Sequence, residues 1–323
     1  MSIRLAVTDQ PVFGRKRMLK KFQIIERRVC ESQEETESPV LVFVNPDENE
    51  KRFLINEFKL DEHTLNSALD PDEQARMEFE PEHLALIVKC PKNYSGADQF
   101  FFRVLSFGIF LFKDKVIVVT AGEIPLFDGK YFLKIGSAQD VFLKLIFRSI
   151  SHFLEHLKII NQVSDELEHK INASMENKYL LNLFTLEKSL VYYLNAINSN
   201  TIVIEKLKAN AAKIGFSQEQ VEYLDDIHIE NNQCFRQAEI YSNVLAGLMD
   251  ARVSIVSNNL NVLMKTLNII TIGIMVPTFV VSVFSMNVSI PFKDHPFAFW
   301  IILGISVVFV TAFMLFWKMK KWY

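Results

Sequence analysis

Two apolar segments near the C-terminus, separated by a short loop, constrain this chain more than any other feature. The first runs from about Leu267 to Phe284, and the second from Phe297 to Trp317 without a charged residue. Each is close to the roughly 20 apolar residues that a helix needs to cross a bilayer. The loop between them, residues 285–296, is too short for anything but a hairpin, so the outer ends of both segments lie on one side of the membrane. Lys265 precedes the first segment, while Lys318, Lys320 and Lys321 follow the second. The loop holds Lys293 beside Asp294 and His295. The lysine excess at the outer ends places both termini in the cytoplasm.

The 323 residues are 50% hydrophobic and carry a formal net charge of -3. A chain of this length suggests more than one domain. Arg15-Lys16-Arg17 is basic but no apolar stretch follows it, so no signal or transit peptide is read, and a bacterial inner membrane is the expected location. Cys30, Cys90 and Cys234 are isolated and are expected to be buried thiols rather than disulfides or metal ligands. Near-neutral charge without a basic, aromatic-interleaved patch argues against nucleic acid as a partner. A nucleophile–base pairing, a phosphate-cradling loop and a dinucleotide fingerprint are all absent, which argues against an enzyme.

Residues 1–136 read as a mixed α/β domain. Leu41–Val44 is a strand closed by Asn45-Pro46, and Phe53–Leu69 has the apolar spacing of one helix. His83–Val88 and Val104–Val119 read as strands, the latter broken into a hairpin at Lys113-Asp114-Lys115. Residues 137–216 are helical: one helix over Ala138–Ala173, then Tyr179–Ile197 and Ile202–Ala212, separated by Asn198-Ser199-Asn200. Gly215-Phe216-Ser217 is a helix stop followed by an N-cap. Residues 217–284 then predict one uninterrupted helix that continues into the first span, roughly 100 Å long at 1.5 Å per residue. An isolated helix of that length needs partners, so self-association is expected. Residues 285–296 form the extracytoplasmic loop, 297–317 the second span and 318–323 a basic cytoplasmic tail, a topological and anionic-lipid anchor.

The long helix carries a ladder. Asp250, Ser254, Ser257, Asn261, Met264, Asn268, Thr271, Met275, Thr278 and Ser282 follow alternating steps of four and three, which keeps them on one face. All are polar or methionine. The adjacent ladder, including Val256, Leu260, Leu263, Ile270 and Ile274, is wholly apolar. Two readings fit. Small polar residues can pack helices together inside a membrane, or the stripe can line an aqueous path. Its continuation from the membrane into the preceding helix favours the path. Asp250 would then ring the inner end with carboxylates. Asn261, Asn268 and Thr278 would offer neutral oxygens, and Met264 and Met275 apolar constrictions that gate by dewetting. Pro277 would kink the helix or free a carbonyl for the path.

The donors on this face are hard oxygens, without the Cys or His that softer metals prefer. Mg²⁺ dehydrates reluctantly and is commonly held through its waters. A hydrated hard dication therefore fits better than dehydrated Zn²⁺. His152 and His156 lie one turn apart on a predicted helix, a geometry that can bind metal, yet the sequence offers no obvious third ligand.

With Ser285-Met286-Asn287 at the end of the first span, the chain resembles the CorA family of divalent-cation channels, which also includes ZntB zinc transporters; the family signature there is Gly-Met-Asn. The resemblance extends through Tyr223-Leu224-Asp225-Asp226, Leu245–Asp250 and Ser257–Lys265, and reaches Ala68-Leu69-Asp70-Pro71-Asp72-Glu73-Gln74. It implies an α+β cytoplasmic domain in α/β/α layers, a long stalk helix and two C-terminal transmembrane helices, assembled as a homopentameric funnel. Asn287 would form the outer ring meeting hydrated ions, with Thr278, Asn261 and Asp250 further in. Met275, Leu267 and Met264 would form the narrow apolar stretch. Asp226 matches a family carboxylate where regulatory Mg²⁺ bridges neighbouring subunits and holds the channel closed, with Glu80 and Glu82 as candidate acidic partners. The terminal lysines could ring the inner end of the pore.

The resemblance thus implies transport of Mg²⁺, with Co²⁺ or Ni²⁺ as further ions. Ser285 in place of glycine and a loop poor in acid depart from the family. They leave two alternatives open: a zinc transporter of the ZntB type, with or without proton coupling, or a membrane-anchored Mg²⁺ sensor that does not conduct.

Overall fold

The computed structural model describes residues 18–32, 38–95, 98–127, 132–173, 177–286 and 295–319. The chain divides into two units, Met1–Met249 and Asp250–Tyr323.

The first unit is built on a seven-stranded sheet. Its strands are β1 (Met18–Ile25), β2 (Arg28–Ser32), β3 (Val40–Val44), β4 (Arg76–Phe79), β5 (Leu84–Pro91), β6 (Val104–Leu111) and β7 (Val116–Thr120). They lie in the order β2-β1-β3-β7-β6-β5-β4. Only β3 and β7 pair in parallel, Val42 opposite Val118, and the other neighbours are antiparallel. Strands buried on both faces lose the polar alternation of a half-exposed sheet. Accordingly β3 and β7 read Val-Leu-Val-Phe-Val and Val-Ile-Val-Val-Thr, and every residue in them is buried.

The period of two sorts these side chains into two layers. Leu41, Phe43, Ile117 and Val119 meet Leu54 of helix α1 (Glu48–Phe58), Leu60 of the link that follows it and Leu65 of helix α2 (Glu62–Leu69). Val40, Val42, Val116 and Val118 face a larger core. Helices α3 (Ala138–Ala173) and α4 (Asn177–Ala209) supply Phe142, Phe153, Leu186 and Tyr193 to it. The result is the expected α/β/α arrangement.

The stretch predicted as one helix over Phe53–Leu69 is instead two. Lys59 ends α1 in the left-handed region (φ 54°), and Asp61 caps α2 by accepting from Thr64 N at 2.8 Å. A capping box opens α1, with Asp47 and Glu50 exchanging side-chain-to-backbone bonds of 2.8 and 2.9 Å.

The break expected at Asn198-Ser199-Asn200 does not occur, and α4 runs through it. Two of these polar side chains, those of Ser199 and Asn200, have tertiary partners. The Asn200 amide donates to Lys89 O and accepts from Lys89 N, both at 2.9 Å, beyond the point where β4 stops pairing with β5. The Ser199 hydroxyl accepts from Ala75 N at 2.8 Å. The three cysteines also divide: Cys90 and Cys234 are buried, but Cys30 is exposed on the edge strand β2.

Helix α2 crosses β6 at Gly108. A Cβ there would stand 2.7 Å from Ala68 Cβ and 2.9 Å from Phe110 Cε2. Gly108→Val is therefore expected to overpack the layer by about 1–3 kcal/mol. The purified protein should melt roughly 3–10 °C lower, with partial recovery on adding Ala68→Gly. An unchanged melting temperature would disprove the close approach.

After α4, the short helix α5 (Ala211–Ile214) ends at Gly215 (φ 84°). Ser217 and Gln220 then form a second capping box, with bonds of 2.9 and 3.3 Å, and open α6 (Gln218–Phe284). Leu224, Ile227, Cys234 and Leu245 of α6 complete the core of the first unit. In the second unit, the remainder of α6 precedes α7 (Ala298–Met319). Both helices are long and apolar enough to cross a membrane.

Candidate functional site

Burial in the second unit falls on one face of each helix. Between Val253 and Phe284, the residues that are not exposed are Ile269, Ile272, Gly273, Val276, Pro277, Val280 and Phe284. Their spacing of three and four makes them one face. On α7 the matching set is Ala298, Ile301, Ile302, Ile305, Ser306, Val310, Phe313 and Trp317. Val280 and Ser306 are its most enclosed members, 7% and 5% exposed. Two antiparallel spans packed as a hairpin would turn these faces to each other.

The polar ladder lies on the other side of α6. Asp250, Ser257, Asn261, Met264, Asn268, Thr271, Met275 and Thr278 are all exposed in the single chain, as is Leu267 on the adjacent stripe. The stripe is thus not consumed by packing within the second unit. The Thr271 hydroxyl donates to Leu267 O at 2.8 Å and the Thr278 hydroxyl to Ile274 O at 2.7 Å. With its proton returned to the helix, each hydroxyl oxygen keeps lone pairs for an outside donor.

Pro277 neither ends the helix nor serves the ladder. Helix α6 runs through it, and proline's missing N–H costs the carbonyl of Gly273 its helical donor. Both residues sit on the half-buried face, so the expectation of a carbonyl freed toward the ladder is corrected.

At the end of α6, Ser285 N and Oγ both donate to Ser282 O, at 3.2 and 2.8 Å. The serine side chain closes a terminal carbonyl, and Ser285 is not among the left-handed residues of the described chain. The backbone there does not demand glycine. Met286 is exposed. Asn287, Lys293, Asp294, Lys320 and Lys321 lie outside the described residues. Lys318 is exposed in the last turn of α7.

In the first unit, Asp225 and Asp226 follow each other on α6 but do different things. Asp225 is tied to Lys208 of α4 at 2.7 Å. Asp226 is exposed and has no ion pair among the described residues. As a hard oxygen donor it fits Mg²⁺. Among the described residues, no group of three or more His, Cys, Asp or Glu is placed to hold a metal. Glu80 and Glu82 stand in the β4–β5 turn, Glu80 half-buried and Glu82 exposed.

His152 and His156 do not form a metal pair. Both are buried, at 4% and 5% exposure, with ring centroids 4.6 Å apart. His156 Nδ1 lies 2.7 Å from the hydroxyl of Tyr193. Burial, then the neighbouring His156 and Arg148, press the His152 pKa down to about 3. Burial and Arg148 press that of His156 down to about 4. The pair is a neutral part of the core.

Residues 41–321 match the family model described as CorA-like Mg²⁺ transporter protein. The chain belongs to that family. Among its relatives, the cobalt/magnesium transport protein CorA of Methanocaldococcus jannaschii is 24% identical over 272 residues, spanning 80% of this chain and 83% of that protein. The complete structure of the CorA magnesium transporter from the same organism superposes with a TM-score of 0.80 at 19% identity, covering 96% of this chain and 100% of that one. The ZntB cytoplasmic domain from Vibrio parahaemolyticus RIMD 2210633 is more distant. Its TM-score is 0.57 at 13% identity, over 75% of this chain and 98% of that domain. At these identities the superpositions speak to fold: a mixed α/β domain, a long helix and two apolar C-terminal helices. The family is one of membrane transporters for divalent cations.

Proposed function

We propose that the chain assembles as a homopentamer whose α6 helices line a pathway for hydrated Mg²⁺, and for Co²⁺ or Ni²⁺ of similar hydration. The observation that carries this reading is the ladder's position: it is exposed on α6 while burial falls on the opposite face. A ring of such helices would bring the ladder to a common axis. The threonine hydroxyls, with their protons given to the helix, would accept from the waters around a dication rather than replace them. Asn261 and Asn268 would add amide oxygens, and Asp250 a ring of negative charge that concentrates cations at the inner end. Met264, Leu267 and Met275 would form the apolar stretch that dewets when narrow. Asn287 would form the outer ring, and Lys318, Lys320 and Lys321 a basic rim at the cytoplasmic end of the second span.

In this reading both termini are cytoplasmic and the host is an inner or plasma membrane. Asp226, facing another copy, would bind regulatory Mg²⁺. The facing carboxylates repel one another until the dication neutralises them, so falling Mg²⁺ loosens the contact.

The test is flux into liposomes carrying the purified protein, with Mg²⁺ and Zn²⁺ compared at matched and opposed pH. Mg²⁺ entry without a proton gradient is the expected result. Zn²⁺ entry that requires the gradient, with no Mg²⁺ entry, would move the protein to coupled zinc transport. Silence with both ions would leave a sensor that does not conduct.

A further inference from the structure

We infer that Lys208 sets the Mg²⁺ concentration at which the Asp226 site fills, by holding Asp225 out of that site and adding a positive charge beside it. This rests on the reading of Asp226 as a regulatory Mg²⁺ ligand.

Two adjacent carboxylates on a helix point about 100° apart, near enough for both to act on one dication, directly or through its waters. Here one of the two is engaged. Lys208 Nζ on α4 reaches Asp225 Oδ1 at 2.7 Å, and the two side chains keep 37% and 51% of their exposure. The pair is therefore a solvated latch rather than a core contact, and contributes little to folding. Its effect is electrostatic. It cancels the charge of Asp225 and leaves Asp226 to act alone. A dication approaching Asp226 thus meets one unpaired carboxylate, with the Lys208 ammonium held on the neighbouring Asp225. That arrangement lowers affinity, as a sensor working at high ion concentration requires.

Opposite substitutions should move the threshold in opposite directions. Lys208→Gln releases Asp225 and removes a positive charge, so Mg²⁺ should act at a concentration about three- to tenfold lower. Asp225→Asn leaves Lys208 uncompensated, so the threshold should rise by a similar factor. The double variant should fall between them, and Lys208→Arg should stay near the parent. A lesion that merely unsettled the fold would not change sign between these variants.

The readout is protection of the full-length protein in detergent from chymotrypsin as Mg²⁺ is titrated, with Asp226→Asn alongside. The expected outcome is loss of the Mg²⁺ response in Asp226→Asn and displaced midpoints in the two single variants. If Asp226→Asn titrates like the parent, the reading of Asp226 fails. If Asp226→Asn loses the response while Lys208→Gln and Asp225→Asn superimpose on the parent, the role of Lys208 alone is overturned.

Discussion

Taking the protein from about pH 7 to about pH 5 is expected to remove about 4 kcal/mol from the stability of the α/β unit, through His152 and His156. In the folded chain their pKa values lie at about 3 and about 4, against an ordinary value of 6.5. The unfolded chain therefore binds more protons at every pH below the ordinary value. The stabilisation is complete above that value, and is lost as pH falls toward the folded pKa values. Each ring accounts for about 2 kcal/mol of the loss at pH 5. This is a large share of the roughly 5–15 kcal/mol that holds a domain together. Denaturant unfolding across this pH range, followed by far-UV circular dichroism, would measure it. In a His152→Gln, His156→Gln variant the pH slope should flatten even if the protein is weaker at pH 7. A slope unchanged by the double substitution would mean that carboxylates elsewhere carry the acid sensitivity.

Replacing Asn261 with leucine is expected to cut Mg²⁺ flux by at least about tenfold, because each subunit would add an apolar side chain to the same ring and extend the stretch that dewets. Asn261 is exposed on the ladder face, so the exchange should disturb no packing within the chain. Ile274→Val, on the adjacent apolar stripe, serves as the control and should conduct like the parent. Mg²⁺-dependent protease protection should survive Asn261→Leu, which would separate a blocked path from a damaged sensor. Parental flux through the leucine variant would show that the ladder is a packing stripe and that ions take another route.

What could be read directly from the residues was mostly what depends on local pattern. The long helix over Gln218–Phe284, its start after Gly215, the hairpin between β6 and β7 and the two apolar spans all follow from spacing and punctuation. The ladder was legible for the same reason. The misses occurred where a distant partner decides. Asn198-Ser199-Asn200 has the composition of a break, yet it stays helical while Lys89 of β5 and Ala75, just before β4, satisfy the side chains of Asn200 and Ser199. The β1–β2 ribbon turns through Glu26 and Arg27, both at positive φ (49° and 61°). Neither residue is the Gly, Asn or Asp that usually marks such a turn, so nothing in the local sequence announces it. His152 and His156 have the spacing of a metal pair and are instead enclosed with Tyr193, a fate that spacing alone does not reveal. The separate roles of Asp225 and Asp226 were equally hidden, since Lys208 lies on a different helix and comes beside Asp225 only once α4 and α6 pack.

The core of the α/β unit draws on Leu224, Cys234 and Leu245 of α6 as well as on the sheet. The sheet itself can close once Thr120 has been made, since β7 is its last strand. At about 5–20 residues per second, the ribosome needs roughly 6–25 s more to reach Leu245. Within a few further seconds the first apolar span follows on the same helix. The nascent chain thus has little time between completing its water-soluble part and presenting a segment to the insertion machinery. A slowly folding variant of the sheet would reach the membrane with its core still open. Such a lesion would be felt as failed biogenesis rather than as altered conduction.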